Sequence, residues 1–251
     1  MFSKFNEKYL QNEAAAYRWV EDRLWPDGPV CPHCGGFDRI SKMQGKSTRL
    51  GTYKCYQCRK PFTVKVGTIF ESSHVPLRHW LQAIFLMASS KKGISANQLA
   101  RTLGCTLKTG WFIGHRIREA MTAVGVEPLG GAGKIVGDNI HQGSELHSDE
   151  SDLYAFAQHY FAGHHTVKHS GGEYVRYEKE RTVHSNTVEG VFSVFKRGMK
   201  GTYQHCAEKH LHRYLAEFDF RYNNRIALGI TDFIRADNLL MGVTGKRLTY
   251  R

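Results

Sequence analysis

The stretch HSNTVEGVFSVFKRGMKGTYQHCAEKHLHRYLAEFDFRYNNR, residues 184–225, organises the second half of this chain of 251 residues. It opens with a helix-start signature at His184-Ser185-Asn186 and continues with apolar residues at helical spacing, Val188, Phe192 and Phe195. A helix beginning at Asn186 brings four polar residues to one side: Asn186, Glu189, Ser193 and Lys196. Amide and carboxylate oxygens bind Mg²⁺, and a lysine further along binds phosphate. On spacing alone, a solvated helix face explains the same pattern equally well.

The charge and hydropathy of the chain limit its function class. A net charge of +12 and a pI near 9.5 indicate a polyanionic partner, and a hydrophobic content of 41% is typical of a globular protein. No run reaches the ~18 apolar residues that a membrane span needs, and the first residues carry no apolar segment followed by a cleavage site. We therefore expect a cytoplasmic protein with no membrane partner.

Four cysteines form two Cys-x-x-Cys pairs, Cys31/Cys34 and Cys55/Cys58, with twenty residues between the pairs. Each pair directs two sulfurs to one side, and two pairs at this separation are typical of a structural four-thiolate Zn²⁺ site. The alternating residues 62–66 after the second pair indicate a small β-ribbon. A redox pair or unrelated thiols are the alternative. We expect residues 1–70 to form an N-terminal helix and a zinc ribbon.

Residues 71–124 are predicted to be helical. A helix follows Pro76, a second begins at Ser95 with a capping box and ends at Gly104, and a third follows Thr106. A short helix, a tight turn with glycine and a basic helix form a helix-turn-helix pattern. In that arrangement three basic side chains of the third helix face DNA: Lys108, Arg116 and Arg118. A plain three-helix packing module is the alternative.

Residues 125–133 are rich in glycine and are predicted to be a linker to the back half, residues 134–251. There, Lys134-Ile135-Val136 resembles the start of a strand, and Asp149-Glu150 is an acidic pair that we expect at the end of a strand.

Taken in this order, the chain resembles the zinc-ribbon insertion-sequence transposases of bacteria and archaea, the ISXO-two-like group. The resemblance covers nearly the whole chain. It rests on WPDGPVCPHCG (25–35), YKCYQC (53–58), HVPLRHWLQAIFLMASSKKGISANQLARTLG (74–104), GAGKIV (131–136), HSGGEYVR (169–176), HSNTVEGVFSVFKRGMKGTY (184–203) and HLHRYLAEFDFRYNNR (210–225).

The resemblance implies an α+β multidomain protein: a zinc ribbon, a helix-turn-helix and an RNase H-like α/β core. It implies an enzyme that binds the terminal repeats of its element and catalyses DNA strand cleavage and transfer with Mg²⁺ or Mn²⁺. The family's metal ligands are a D-D-N or D-D-E set. Its members act on double-stranded element ends and target DNA, usually as multimers, which implies a homo-oligomer on DNA.

Carried over to this chain, the second acid resembles Asp149 and the third ligand resembles Asn186, both as magnesium ligands. Glu189 is the rival third ligand, since it lies seven residues before Lys196, the separation found in D-D-E enzymes. Both lie on the same predicted helix face, so one is able to ligate while the other orients. The resemblance assigns DNA phosphate or terminal bases to Lys196 and Arg197.

The first acid departs from the family pattern. Asn139 occupies the family's aspartate slot, Asp138 is one residue out of register, and Asp149 follows Val136 by only thirteen residues. Because a strand needs about five or six residues, this interval is too short for the expected strands. We hypothesise an internal deletion that truncates the core; a strand slip that brings Asp138 into the site is the alternative, and Glu145 is a second candidate.

Three functions follow from these patterns. The first is an active transposase. The second is a catalytically defective DNA-binding remnant that occupies element ends or inhibits an intact transposase. A zinc-ribbon transcription regulator ranks last, because it leaves Asp149, Asn186 and Lys196 unexplained as a set.

Overall fold

A computed structural model of the protein describes residues 4–122, 140–179, 181–246 and 248, and the chain divides into two compact units. The first unit combines residues 1–122 with residues 198–251, and the second unit is residues 123–197. This division corrects the one expected from sequence, because the ribbon, the helical module and the end of the chain pack as one unit. The expected linker, Asp138 and Asn139 lie outside the described residues.

The helices and strands of the described residues are as follows. The helices are α1 Lys8–Gln11, α2 Glu13–Leu24, α3 Leu77–Ser89, α4 Ala96–Leu103, α5 Leu107–Met121, α6 Ala157–Tyr160, α7 Asn186–Gly198, α8 Leu211–Asn223 and α9 Asp232–Met241. The strands are β1 Ile40–Lys42, β2 Tyr53–Cys55, β3 Pro61–Phe62, β4 Glu145–Ser148, β5 Gly163–Thr166, β6 Val175–Glu178 and β7 Arg181–His184. Short 3₁₀ turns lie at Lys4–Asn6, Asp152–Tyr154, His169–Gly171, Glu208–His210 and Ile226–Leu228, and Met199–Tyr203 forms a π-helical turn. None of these helices is long and apolar enough to cross a bilayer.

The core of the first unit surrounds α3, whose apolar residues recur at helical spacing and are buried. Its largest fully buried side chain is Trp80. The Glu13 carboxylate of α2 accepts the backbone N–H groups of Leu77 and Arg78, at 2.7 and 3.0 Å. A carboxylate there satisfies donors that the first turn of a helix leaves unpaired. Helices α5 and α9 also pack against α3.

Helix α4 begins and ends where the sequence predicts, and α5 begins where it predicts. Ser95 caps α4 by accepting the Gln98 N–H, and Gly104 ends the helix in the left-handed conformation at φ 64°. Thr106 caps α5 in the same way. The two helices approach closely at Gly110, where an added Cβ would lie 2.8 Å from the Ala96 carbonyl oxygen. The helix-turn-helix pattern thus corresponds to two capped helices in direct contact.

The ribbon contains an antiparallel three-stranded sheet of order β1-β2-β3. Its register pairs Ile40 with Cys55, Lys42 with Tyr53, and Tyr53 with Phe62. These side chains occupy one face, which packs on Trp25. The expected β-ribbon around the cysteine pairs is therefore present, but its last strand is shorter than expected. It ends at Phe62, and residues 64–66 form a turn in which the Val66 N–H donates to the Thr63 carbonyl oxygen.

The second unit contains two separate pairs of strands. Strands β4 and β5 are parallel, joined through α6, whereas β6 and β7 form an antiparallel hairpin. Within the described residues, these pairs do not join into the single mixed sheet of the expected RNase H-like core. Helix α7 starts at Asn186, as the sequence predicts. Val188 and Phe192 of its apolar stripe are 52% and 54% exposed, so these two side chains are not buried.

Candidate functional site

The four ribbon cysteines converge on one point. The Sγ atoms of Cys31 and Cys58 lie 3.6 Å apart, those of Cys34 and Cys55 lie 3.7 Å apart, and all four lie within 4.8 Å of one another. Sulfurs about 2.3 Å from a tetrahedral zinc ion are separated by about 3.8 Å. The cluster therefore fits a zinc ion with four thiolate ligands. Because four thiolates complete the coordination, the site is structural.

The predicted acidic pair lies at the end of β4. Asp149 follows Ser148, the last residue of the strand, and its Oδ1 accepts the Ser151 N–H at 3.1 Å. The Glu150 carboxylate accepts the hydroxyl of Ser170 at 2.7 Å and its backbone N–H at 3.0 Å. The hydrogen bond from the Ser170 hydroxyl, and next the one from its backbone N–H, holds the pKa of Glu150 below its ordinary value. Glu150 is therefore ionised and tied to the turn at His169–Gly171.

The start of α7 is tied to the same turn. Ser185, which is buried, donates its hydroxyl to the Glu189 carboxylate, and His169 Nε2 lies 3.2 Å from the Ser185 Oγ. His169 Nε2 also lies 3.6 Å from Glu189 Oε1. The turn at His169–Gly171 thus connects the β4 end, through Glu150, with Glu189.

The other predicted site residues of α7 face solvent. Asn186, Lys196 and Arg197 are exposed. Among the described residues, the ribbon cysteines are the one group of three or more His, Cys, Asp or Glu side chains close enough to share a metal ion. The structure therefore links the β4 end with the start of α7 but does not draw Asp149, Glu150 and Glu189 together as such a group.

Histidines line the parallel strands beside the acidic pair. His147 and His165 are register partners with rings 5.7 Å apart. Arg181 NH1 lies 2.6 Å from His165 Nε2 and 3.0 Å from Glu145. Since a guanidinium only donates, Nε2 of His165 is the acceptor in this contact. Burial, and next the neighbouring His165, lowers the pKa of His147. These histidines join strands, and Glu145 is engaged as an ion-pair partner.

Two basic residues expected to face DNA are buried instead. Arg116 donates to the carbonyl oxygens of Ile69 and Glu71, each at 2.6 Å. Arg118 pairs with Glu217 of α8 at 2.6 Å between Nε and Oε2. The expectation that these two guanidinium groups face outward is wrong, because both satisfy acceptors in the interior of the first unit. Lys108 is exposed, as expected.

Sequence reasoning did not single out two exposed polar residues of α4. Gln98 and Arg101 are exposed, and Arg101 adds a second cation near the turn between the helices. The signal was available: helical periodicity buries Leu99 and Leu103, which leaves Gln98 and Arg101 on other faces of α4.

Comparisons with known proteins agree with these features. Residues 128–223 match the family model described as ISXO2-like transposase domain, and residues 11–61 match that described as transposase zinc-ribbon domain. The chain is 28% identical, over 116 residues, to an uncharacterized protein in the transposable element ISH50 of Halobacterium salinarum. That region covers 46% of this chain and 38% of the relative, so the match spans well under half of the relative's length. No solved structure matches the chain significantly.

Proposed function

We propose that this chain is a zinc-ribbon insertion-sequence transposase with an ISXO2-like transposase domain, since residues 11–61 and residues 128–223 match the two family models. From that premise we propose that it binds the terminal repeats of its element and catalyses metal-dependent DNA strand cleavage and transfer. Transposases generally bind DNA and act on it, and the net charge of +12 suits a polyanionic substrate.

The observation that carries the proposal is the connection between the β4 end and the start of α7. Glu150 accepts both donors of Ser170, while the adjacent His169 lies beside Ser185 and Glu189. Glu150 and Glu189, which are far apart in sequence, therefore contact two adjacent residues of one turn in the second unit. Strand ends and the first turn of a helix are rigid supports for a phosphoryl-transfer site.

In this proposal Asp149 and Asn186 hold a catalytic Mg²⁺ or Mn²⁺, with Glu189 as the alternative ligand. The donor set fits such an ion, because carboxylate and amide oxygens are hard ligands and Asp149 keeps one oxygen outside its bond to the Ser151 N–H. A divalent ion bound there stabilises the charge on the attacking and leaving oxygens of phosphoryl transfer. Lys196 and Arg197, both exposed, bind DNA phosphate.

Duplex recognition is proposed for the first unit. Gln98 and Arg101 of α4 and Lys108 of α5 are exposed, and a helix-turn-helix presents exposed polar groups to the major groove. The zinc ribbon adds further cations. By family resemblance, two or more copies assemble on the element ends.

The second candidate function is a catalytically defective DNA-binding remnant. It is favoured by the spacing between Val136 and Asp149, and by the two separate strand pairs that the described residues form in place of one sheet. In this case the first unit binds element ends without cutting them.

A cleavage assay separates the two functions. Labelled duplexes carrying the DNA on either side of the coding sequence are incubated with the full-length zinc-loaded protein and Mg²⁺ or Mn²⁺, and binding is measured on the same duplexes. Asp149→Asn keeps an acceptor for the Ser151 N–H but removes the charge, so we expect strand cleavage to fall by about 10²–10³-fold with binding unchanged. Asp152→Asn, at an exposed acid in the next turn, is the matched control and should cleave normally.

Each outcome of the assay supports or contradicts one of the two proposed functions. Binding without cleavage by the unmodified protein supports the defective remnant. Cleavage that requires both Asp149 and Asp138 shows that the site is complete and refutes the deletion hypothesis. Absence of both binding and cleavage contradicts the proposed function.

A further inference from the structure

The two faces of the ribbon sheet differ in kind. One face packs inward on Trp25, as described above. The register Ser41 with Lys54, and Lys54 with Pro61, assigns these three residues to the opposite face. Ser41 and Pro61 are exposed and Lys54 is half-buried. We call this the outer ribbon face, and within the described residues no other element forms a layer over it.

An aromatic ring is fixed on the outer ribbon face. Tyr56 donates its backbone N–H to the Arg39 carbonyl oxygen at 2.8 Å, and its hydroxyl lies 3.3 Å from the Ser41 Oγ. The Lys54 ammonium lies 5.5 Å from the centre of the Tyr56 ring, within range of a cation–π interaction. Tyr56 as a whole is nevertheless 49% exposed. Tyr56 is thus held in place and presents a large part of its surface to solvent.

A second aromatic residue lies at the same end of the ribbon. Phe37 is 75% exposed and precedes Arg39 by two residues. Gly36 and Gln57 are in close approach, because an added Cβ on Gly36 would overlap the Gln57 side chain. The segments that carry Phe37 and Tyr56 are therefore neighbours. Two exposed aromatic residues on neighbouring segments form a local apolar surface, and such a surface is a candidate site for a partner.

The charge of the ribbon segment that carries these rings is predominantly positive. Between residues 29 and 66 the chain has a single acidic residue, Asp38. Its basic residues are Arg39, Lys42, Lys46, Arg49, Lys54, Arg59, Lys60 and Lys65. Lys42 is engaged with Glu21 and Lys65 with backbone carbonyl groups, whereas Arg39, Arg59 and Lys60 are exposed. Cations next to open aromatic rings match a strand with phosphates and unpaired bases.

We propose that the outer ribbon face binds an unpaired DNA strand, with bases stacked on Phe37 and Tyr56 and phosphates bound by Arg39 and Lys54. Bases inside a duplex are stacked on one another and offer no open face, so the rings select unpaired DNA. The inference deepens the proposed function, on which it rests: cutting an element end leaves unpaired or frayed strands that the protein must retain. Duplex binding itself is assigned to the helices α4 and α5.

The test compares binding of the full-length zinc-loaded protein to a short labelled single-stranded DNA, to the same strand with abasic sites, to the matching duplex and to the matching RNA. Phe37→Ala and Tyr56→Ala should each weaken single-strand binding by about 5- to 150-fold and leave duplex binding unchanged. Tyr56→Phe keeps the ring and should bind normally. The matched control is Ile226→Ala, at an equally exposed apolar residue outside the ribbon.

A salt series provides a second measurement. Lys54→Gln should reduce the salt dependence of single-strand binding by about 0.7 in logarithmic slope, the effect of one lost phosphate contact. If Tyr56→Ala loses zinc, which metal analysis detects, Phe37→Ala and Lys54→Gln carry the test.

Several results overturn the inference. These are equal losses for single-stranded and duplex DNA in the alanine variants, unchanged binding to the abasic strand, or tighter binding to RNA. If duplexes with element ends are bound and cleaved while single strands are ignored, the inference fails and the proposed function stands. If no DNA is bound, both fail.

Discussion

The sharpest stability prediction concerns the buried ionic cluster between α5 and α8. Glu217 is fully buried and accepts three partners: Arg118 at 2.6 Å, Arg221 at 3.1 Å and the Tyr203 hydroxyl at 2.7 Å. Glu217→Gln preserves the shape but leaves two guanidinium groups in the interior without a counter-charge. Removing one member of a buried ion pair costs about 3–5 kcal/mol.

The assay is urea unfolding followed by tryptophan fluorescence. All four tryptophans, Trp19, Trp25, Trp80 and Trp111, lie in the first unit, so the signal reports the unit that contains the cluster. With a denaturant slope of about 2 kcal/mol/M, the expected loss shifts the midpoint down by about 1.5–2.5 M.

The matched control is Glu119→Gln, which breaks the pair between Glu119 and Arg213. That pair has a similar distance, 3.1 Å, but its side chains are 29% and 13% exposed. Because water screens such a pair, its loss should cost about 1 kcal/mol or less. Equal midpoints for the two variants would refute the reasoning, since burial would then make no difference.

Three further predictions concern packing, pH and metal. Gly198→Ala should lower the free energy of unfolding by about 1–3 kcal/mol, because the new Cβ would lie 2.4 Å from the Phe218 ring. Gly190→Ala in the same helix is the control: its new Cβ meets no atom within 4 Å, so it should raise the free energy of unfolding by about 0.5–1 kcal/mol, as measured in thermal melts. Burial, then the charge of Arg118, lowers the pKa of His115 to about 3. His115 therefore becomes protonated at a lower pH in the folded state than in the unfolded state. We expect the free energy of unfolding to be unaffected by this group above its ordinary pKa of about 6.5 and to fall below that pH, by about 2 kcal/mol at about pH 4.5 in urea titrations. His115→Phe should remove this pH-dependent component. Chelation, or replacement of all four ribbon cysteines by serine, should release the zinc and speed amide hydrogen exchange in the ribbon strands, while α3 stays protected. Unchanged hydrogen exchange in the ribbon strands would contradict a structural role for the metal.

Local sequence patterns predicted the local structure well. The cysteine spacing led to the ribbon, the caps at Ser95 and Thr106 led to α4 and α5, and His184-Ser185-Asn186 led to the start of α7. These signals act over a few residues, since a cap or a metal knuckle is satisfied by its own neighbours. Their success does not depend on the rest of the fold.

Long-range partners account for what the sequence did not reveal. Arg118 has the same helical spacing whether it faces solvent or Glu217, which lies 99 positions away, so its burial could not be predicted from α5 alone. The grouping of residues 198–251 with the front of the chain was missed for the same reason. The catalytic roles of Asp149, Asn186, Glu189 and Lys196 stay predictions, as do the DNA contacts of Lys108 and Arg197.

The division of the chain has a consequence for how the protein is made. Because the first unit is assembled from both ends of the chain, a nascent chain emerging from the ribosome cannot complete it until the last helices have been synthesised. The Ile69 N–H donates to the Val243 carbonyl oxygen, and the Gly245 N–H donates to the Gly67 carbonyl oxygen, so these contacts form only after residues 243–245 have been synthesised. Residues 123–197 are, in effect, a domain inserted into a split host. A change confined to this insert leaves the contacts within the host unit in place, so we expect the host unit to tolerate changes in the insert.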